Sequence, residues 1–563
     1  MTSKCRARFF ASREIIDPRS CWFMSPISTE AFLYGCMVRI PRCVEYMRKE
    51  HQFDRWTKVE IDGYHREPAR DIPVIDAGDV LVVGGSQTGV TAAMAAARHG
   101  ARVQLVERFG FLGGQSIFGS VVQWEKRAFI NNLGAVLTKG IPLEILQDVV
   151  EKGGSDGLWN EPPGCPDMRD GEEWLDPNAI KVTLFEKCEA ENIKILLHTL
   201  AVDAIVDDEG SIPKVKGVIF ENKSGRFAMK ARKIIDATAD LDIIWRAIGE
   251  KGCTSRPPVE RISSGFYTWY AGIDNEAFIK WYLEQATVGV GYPDPVAFPA
   301  KVRKHLSEGK LIKIGRQNLE EILEKADEAG FLDPIFKMLE RHNAGFNLQL
   351  GMKWVGHDRW CLSFMSLPCN TADAWDVTRV EILRQLISWH ALPVLHMIPG
   401  WENAYISREN IHIGNRECRA LDAMKIIDQE YIWDLANVTN PTPLDAVGRS
   451  GAHDPGKNFL RAGYPVPYGI LVPRLLDGVI ACARSVGTKH DRALGAHRGI
   501  VPSMVTGQAA GTAAALAIRE RVRFRELDVS LLQETLKGDG VQIDHESITF
   551  DFPLPGDKIK KKP

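Results

Sequence analysis

The stretch DVLVVGGSQTGVTAAMAAARHGARVQLVERFGFLGG, residues 79–114, constrains the fold more than any other part of this chain of 563 residues. The apolar run from Asp79 to Val83 is bounded by glycines and reads as a buried parallel strand. Thr88 to Arg98 is alanine-rich and stops at Gly100, as a close-packed helix with a glycine end does. ARVQLVE returns as a second strand ending in Glu107, 23 residues after Gly84. A strand, a glycine turn, a helix and a strand with a carboxylate at that spacing form the opening of a dinucleotide site. Gly84 permits the tight turn, Gly85 follows it, Gly89 lets helix and sheet approach, and free N–H groups at the helix start face a pyrophosphate. Glu107 can accept both ribose hydroxyls, and its charge would repel a 2′-phosphate. Ser86 stands where the fingerprint has its second glycine: its Cβ narrows the phosphate space, while its hydroxyl can donate to a phosphate oxygen.

Two other readings of the stretch exist. One is a βαβ unit that holds no nucleotide. The other takes G-G-S-Q-T, one residue short of G-x-S-x-G, as a hydrolase nucleophile elbow; Glu107 and the later segments do not belong to it.

RFGFLGGQS follows, and the run DVLVVGG…GARVQLVERFGFLGG resembles the start of the FAD-dependent oxidoreductase family, flavoproteins whose FAD domain is related to that of fumarate reductase and glutathione reductase. The resemblance implies that Gly113, Gly114 and Gln115 lie beside the pyrophosphate and ribityl chain. FAD carries an adenosine diphosphate half as NAD does, so the opening motif alone does not choose between them. Three later segments choose FAD. DPNAIKVTLFEKCEAENIKILLHTLAVDAIVDD reads as a helix then a strand, and resembles the segment whose backbone near Val202 meets the adenine. KSGRFAMKARKIIDATADLDIIWRAIG holds a hairpin and an apolar strand ending in IIDATAD, similar to the family's ATG-D signature, with Thr238 at the cofactor. VPYGILVPRLLDGVIACARSVGTKHDRALGAHRGIVPSMVTGQAAGTAAALAI resembles the segment that closes the flavin site and brings Arg484. In it Pro502 suits the first turn of a helix, whose end at Gly499, Ile500 and Val501, with Arg498, is expected to face the isoalloxazine and stabilise its anionic reduced form. A packed alanine helix with no ligand at its end is the plainer alternative. Ser86, Ala239 and Ala483 occupy positions where the resemblance leads one to expect glycine.

The implied fold is α/β: a Rossmann-like FAD-binding domain, discontinuous in sequence, with an inserted α+β substrate or cap domain. Its expected limits are an N-terminal extension of unknown role over residues 1–70, FAD-binding parts over 71–255 and 461–530, the cap over 256–460 and a tail over 531–563. HIGNRECRA places Arg416 and Arg419 three apart, on one face if helical, and resembles the family's G-x-R-x-x-R stretch. DAVGRSGAHDP brings His453 and Asp454, and His490 and His497 lie in the loop before the flavin-facing helix. Arg416 is the candidate substrate clamp, with His453 and His490 the candidate acid or base groups for hydride transfer at flavin N5. For the arginines the plainer alternative is an ion pair with Glu417 or Asp422; for the histidines it is a structural hydrogen bond.

Composition limits the partners. A net charge of −3 gives no field for a polyanion, so nucleic acid is not expected, and the lysine run KIKKK is short. The eleven cysteines are scattered without a CxxC pair or metal spacing, which suits a reducing compartment and the cytoplasm. No apolar run reaches the roughly 18 residues of a membrane span. Glu14 and Asp17 weaken a transit-peptide reading of the basic N-terminus. VGVGYP at Val288 precedes a proline-rich loop and reads as a turn, so a second nucleotide domain is not expected. The expected activity is hydride transfer between a small organic substrate and FAD, with an unknown electron donor or acceptor and a possible homo-oligomer. The alternatives are a flavin hydroxylase and a non-catalytic binding protein on a degenerate flavoprotein fold.

Overall fold

The computed structural model describes residues 61–130, 136–155, 157, 172–285, 313–314, 320–342, 344, 347–356, 358–435, 442–451 and 463–544. The extension expected over residues 1–70 lies outside these up to residue 60, as does the VGVGYP turn.

The chain enters its main sheet at β1 (Val80–Val83), every residue of which is buried. It continues through α1 (Gln87–Arg98), β2 (Val103–Val106), the short helix α2 (Gly114–Phe118) and β3 (Gln123–Glu125). Next come α3 (Pro177–Ala190), β4 (Lys194–Leu196), and an antiparallel meander of β5 (Leu200–Asp207), β6 (Lys214–Asn222) and β7 (Gly225–Lys230). β8 (Lys233–Asp236) and α4 (Asp242–Ile248) close this part. The inserted part holds β9 (Thr268–Ala271), β10 (Asn347–Gly356), β11 (Arg359–Leu367), α5 (Ala374–His390) and β12 (Tyr405–Glu409). The chain then returns to the first part with β13 (Val479–Ala481) and the long helix α6 (Ile500–Arg519).

Five strands pair in the order β13-β8-β1-β2-β4, all parallel. Numbered by their place in the chain, that is the doubly wound order in which successive strands run out one way from β1 and then resume on its other side. The reversal falls between β1 and β8, where Val83 is level with Asp236. Crevices outside the carboxyl ends of strands at such a reversal are where ligands bind in this architecture. The meander β5-β6-β7 forms a separate sheet with the strand Val74–Asp76. In the inserted part, β10, β11, β9 and β12 lie side by side, with Ser264–Gly265 added to β11. The inserted α+β unit buries its own core, whose residues run from Phe266 to Ile413 and include Trp360 and Trp401.

Two limits drawn from the sequence move. Leu421, Ile427, Ala446 and Val447 are buried in the cores of the nucleotide-type part, so the inserted unit's packing ends well before residue 460. The tail expected from residue 531 falls inside the helix Val529–Gly538, whose Leu532 and Leu536 are buried in the main core.

α6 packs along α1 because small residues on both let the backbones close up. A Cβ on Gly507 would stand 2.4 Å from the Thr88 carbonyl oxygen, and one on Gly511 2.0 Å from that of Ala92. This contact holds α1 against the sheet from the outside and so fixes where its N-terminus points. In an open helix, Gly to Ala gains about 1 kcal/mol. Here the added methyl has backbone on its path and no flexible end to move, so overpacking of about 1–3 kcal/mol or more decides the sign. Gly511→Ala is expected to lower the urea midpoint of unfolding, with a net loss of at least about 1 kcal/mol; an unchanged or raised midpoint would contradict the close contact.

Candidate functional site

The crevice begins at the β1–α1 turn. Gly84 has φ of 109°, and a Cβ on it would lie 2.3 Å from the Ala237 carbonyl oxygen at the end of β8. A Cβ on Gly89 would lie 1.8 Å from the Gly84 carbonyl oxygen. Only glycine permits either approach, and together they press the start of α1 onto the strand ends. Among the described residues no acceptor meets the N–H of Gln87 or Thr88, both on residues at most 4% exposed. Buried first-turn donors without acceptors are the setting in which a phosphate group is bound.

Ser86 fits beside this cradle because the second glycine pair gives it room. Its Cβ packs where a side chain on Gly114 would be, 2.6 Å from that ideal Cβ position. Its Oγ caps α1 at 3.5 Å from the Gly89 nitrogen. The second glycine pair thus makes room for the serine that departs from the fingerprint. Gly113 ties the two turns together by donating its N–H to the Gly85 carbonyl at 2.9 Å.

Glu107 is buried after β2, where it accepts from the N–H of Gly85 at 2.6 Å and of Phe109 at 2.9 Å. Burial pushes its carboxyl up, against the pull of those two N–H groups. Its remaining lone pairs can accept from sugar hydroxyls.

On the far side of the reversal, β8 ends in Asp236, fully buried and bonded to Thr238 and to the N–H groups of Ile243 and Ile244 at the start of α4. Thr238 Oγ1 gives its proton to Asp236 at 2.6 Å and accepts from the Asp242 N–H at 2.9 Å. Next to it, Asp240 pairs with Arg484, which follows β13. The Arg484 Nε is buried without a partner, as is the Gln115 Oε1 on α2. Ala239 and Ala483 take φ of 70° and 81°. The turns keep the left-handed backbone that glycine would supply, with alanine strained into it.

Val202 lies at the bulge between Ala201 and Asp203, with its carbonyl accepting from Arg246 at 2.5 Å.

At the N-terminus of α6 the structure differs from the sequence reading. Ile500 and Val501 each donate an N–H, both at 3.2 Å, to the carboxylate of Glu125 at the end of β3. A Cβ on Gly499 would meet that carboxylate at 2.8 Å. A buried carboxylate therefore already neutralises the positive end of this helix. The stabilisation of a reduced anionic ring by these N–H groups does not follow from this arrangement. Arg498 lies part-buried beside it. No pattern in QWE marks Glu125 as a cap, because the pairing spans 375 residues of sequence.

The segment 414–419 is not helical, so Arg416 and Arg419 do not share a helix face. They point to opposite sides. Arg419 reaches the main part, bonding the Asp240 carbonyl at 2.9 Å and stacking 4.3 Å over the Trp245 ring. Arg416 lies against the inserted part, its Nη2 2.8 Å from where a Cβ on Gly265 would be. Neither ion-pair partner foreseen for Arg416 is available. Glu417 is held by Arg256 at 2.5 Å and 2.6 Å, by the Ile262 N–H at 2.9 Å and by His490 Nδ1 at 3.0 Å, and Asp422 by Arg474 at 2.6 Å. Among the described residues no hydrogen bond or ion pair reaches the Arg416 guanidinium, which is part-buried. The neighbouring Asn415 Oδ1 is buried and likewise without a partner.

Burial pushes the Glu417 carboxyl up, but His490 and Arg256 outweigh it and hold it down at about 2. His490 Nε2 faces Thr254 Oγ1 at 3.3 Å. Sequence reasoning missed Arg256 and treated Glu417 only as a possible partner of the arginines, since a buried bidentate pair 161 residues apart leaves no local signal. His453 and Asp454 lie outside the described residues. His497 ends the short helix Arg492–His497 instead of lying in a loop. It is fully buried, bonds the Tyr464 hydroxyl at 2.7 Å, and is lowered by that burial to about 4.

A run of contacts links these pieces. Ser86 touches the N-terminal end of α2, the Phe118 carbonyl at its other end accepts from the N–H groups of Ile411 and His412, and Gly414 pairs with Gly265 beside Arg416. Arg419 and Asp240 lead back to Arg484. The glycine cradle, the orphaned donors of α1, Glu107 and the unpartnered Arg484 Nε fit a dinucleotide diphosphate and its ribose.

Among the described residues no helix is long and apolar enough to cross a membrane, and no cluster of metal-ligating side chains occurs. The model of the family described as FAD dependent oxidoreductase matches residues 79–536. No curated protein sequence matches the chain. Among solved structures, similarity extends to the THI4 protein of Thermovibrio ammonificans, at 17% identity and a TM-score of 0.23 over 30% of this chain and 60% of that one. The chain thus spans less than two thirds of that protein's length. A geranylgeranyl bacteriochlorophyll reductase-like protein of Thermoplasma acidophilum is similar at 12% identity and a TM-score of 0.39, over 84% of this chain and 85% of that one. The p-nitrophenol 4-monooxygenase of Pseudomonas putida is similar at 11% identity and a TM-score of 0.36, over 83% and 89%. None of these scores carries an activity to this chain.

Two outcomes follow from the geometry. Ala239→Gly and Ala483→Gly each relieve a left-handed alanine, worth about 1–2 kcal/mol, against about 0.5–1 kcal/mol of added chain entropy. Each is expected to raise stability by up to about 1 kcal/mol in urea unfolding; a fall would show that these turns carry no strain. His497 is neutral in the fold and takes up a proton near pH 6.5 when unfolded. Its contribution is therefore whole above pH 6.5 and is lost as pH falls towards about 4, by about 3 kcal/mol in all. Replacing it with glutamine should flatten the pH dependence of the unfolding free energy across that window, and an unaltered slope would exclude a buried neutral His497.

Proposed function

The chain belongs to the FAD dependent oxidoreductase family, and from that premise we propose that it moves a hydride between FAD and a small organic substrate carrying an anionic group. The observation that carries this reading is Arg416, a part-buried cation without a partner among the described residues, whose sequence neighbours Glu417 and Asp422 are held by Arg256 and Arg474. An unpaired guanidinium out of bulk water is costly to leave so, and its planar fork matches a carboxylate. FAD, when bound, supplies a two-electron donor or acceptor at ring atom N5. Gly84, Gly85, Ser86, Gly89 and the first turn of α1 hold its diphosphate in this reading, and Glu107 its ribose. In the same reading Gly113, Gly114, Gln115, Thr238 and Arg484 belong to the cofactor site.

Arg416 orients the substrate by two parallel hydrogen bonds to its anionic group. Glu417 accepts from His490 Nδ1, which fixes the tautomer and leaves Nε2 as the atom that exchanges a proton. Thr254 Oγ1, the present neighbour of Nε2, is on an exposed residue and can pass that proton to solvent. Glu417 is a positioning residue here, not a catalytic one. His453 remains the second acid–base candidate from the sequence.

The test is direct. The purified protein should show flavin absorption in the visible, or acquire it with added FAD, and should bleach anaerobically with one member of a panel of carboxylated metabolites. Arg416→Ala should keep the flavin spectrum while the substrate concentration for half-maximal bleaching rises roughly 100-fold, as loss of a charge-assisted bidentate pair of about 3 kcal/mol requires. A colourless protein that takes up no FAD, or an Arg416→Ala variant bleached as readily as the parent, would overturn the reading.

A further inference from the structure

The helix α5 buries one face and shows an uncharged one. Asp376, Arg379, Val380, Leu383, Arg384, Ile387 and Ser388 face inward. The exposed positions are Ala374, Trp375, Thr378, Ile382, Gln385, Leu386 and Trp389, and not one carries a charge. Trp375 is 58% exposed, Ile382 40%, Leu386 38% and Trp389 63%. The one acidic residue on the flank, Glu381, is turned to Arg384 and His412. On a surface helix the outward face is where charged residues belong, so two open tryptophans without a charge between them mark a covered surface.

The spacing says by what. Trp375, Ile382 and Trp389 recur every seven residues, which makes a straight seam down a helix of 17 residues. The seam is also symmetric about Ile382. An antiparallel second copy of α5, with a twofold axis at Ile382, sets Trp375 opposite Trp389 of the other copy, the small Thr378 opposite the large Leu386, and Ile382 opposite itself. A face without charge meets its own copy with no like-charge cost, and a self-complementary patch is what a twofold interface needs.

We propose that this protein forms a homodimer through antiparallel pairing of α5 about Ile382. The four apolar side chains expose roughly 400 Å² per copy, about half of the ~800 Å² that one side of a standard interface buries. On that area the dimer stands at the weak end of specific interfaces, and the affinity expected is micromolar. The dimer lies on the inserted part and is independent of the flavin reading.

Sedimentation velocity of the full chain up to about 50 µM tests it. The parent should be dimeric, and Ile382→Glu, which sets two carboxylates against each other on the axis, should be monomeric with an unchanged unfolding midpoint. Oxidative cross-linking tests the register. Ile382→Cys should form an intermolecular disulfide, because that position faces itself. Trp375→Cys and Trp389→Cys should each fail alone, since like positions lie about 20 Å apart, and should cross-link when the two variants are mixed. A monomeric parent overturns the proposal, whatever else covers the face. So does a dimer indifferent to Ile382→Glu, or cross-linking of Trp375→Cys with itself.

Discussion

Everything at the crevice depends on one pinch in the backbone. Gly84 meets the end of β8 and Gly89 meets Gly84 at distances no Cβ tolerates, and those contacts set the N-terminus of α1 over the carboxyl edge of a parallel sheet. Among the described residues the N–H groups of Gln87 and Thr88 then meet no acceptor, and the place where the strand order reverses lies beside them. α6 secures the pinch from outside through Gly507 and Gly511, 420 or so residues further along the chain.

The three departures from glycine behave differently from one another. Ser86 costs little, because Gly114 leaves room for its Cβ and its hydroxyl caps a helix. Ala239 and Ala483 keep a left-handed backbone and carry the strain that glycine avoids. The strain sits in the two turns bridged by the Asp240–Arg484 pair and by the Ser485 hydroxyl on the Ala239 carbonyl. Those cross-links hold the turns in shape where the local residues do not favour it.

Charge inside the crevice is distributed by competition among long-range partners. Glu417 is saturated by Arg256, His490 and a backbone N–H, and that leaves its sequence neighbour Arg416 without a partner among the described residues. Glu125 satisfies the start of α6, so the dipole of that helix is spent inside the protein. In both cases the group that matters is defined by who has already bonded to the carboxylate nearby, a property of the packed whole.

The sequence by itself determined the local units. Apolar runs, glycine stops and an alanine-rich helix placed β1, α1 and β2 and the carboxylate of Glu107, because these are set by backbone sterics and burial over a few residues. The family resemblance marked Ser86, Ala239 and Ala483 as places where glycine is expected, and the structure gives a left-handed backbone to the two alanines and not to the serine. Only the tertiary structure decided that residues 414–419 are not helical, that Arg416 and Arg419 part company, that the packed core continues through Leu536, and that Glu125 caps α6. The reason is the same each time. A charged group chooses its partner by distance in space, and pairs 161 or 375 residues apart in the chain leave no mark on the residues beside either member.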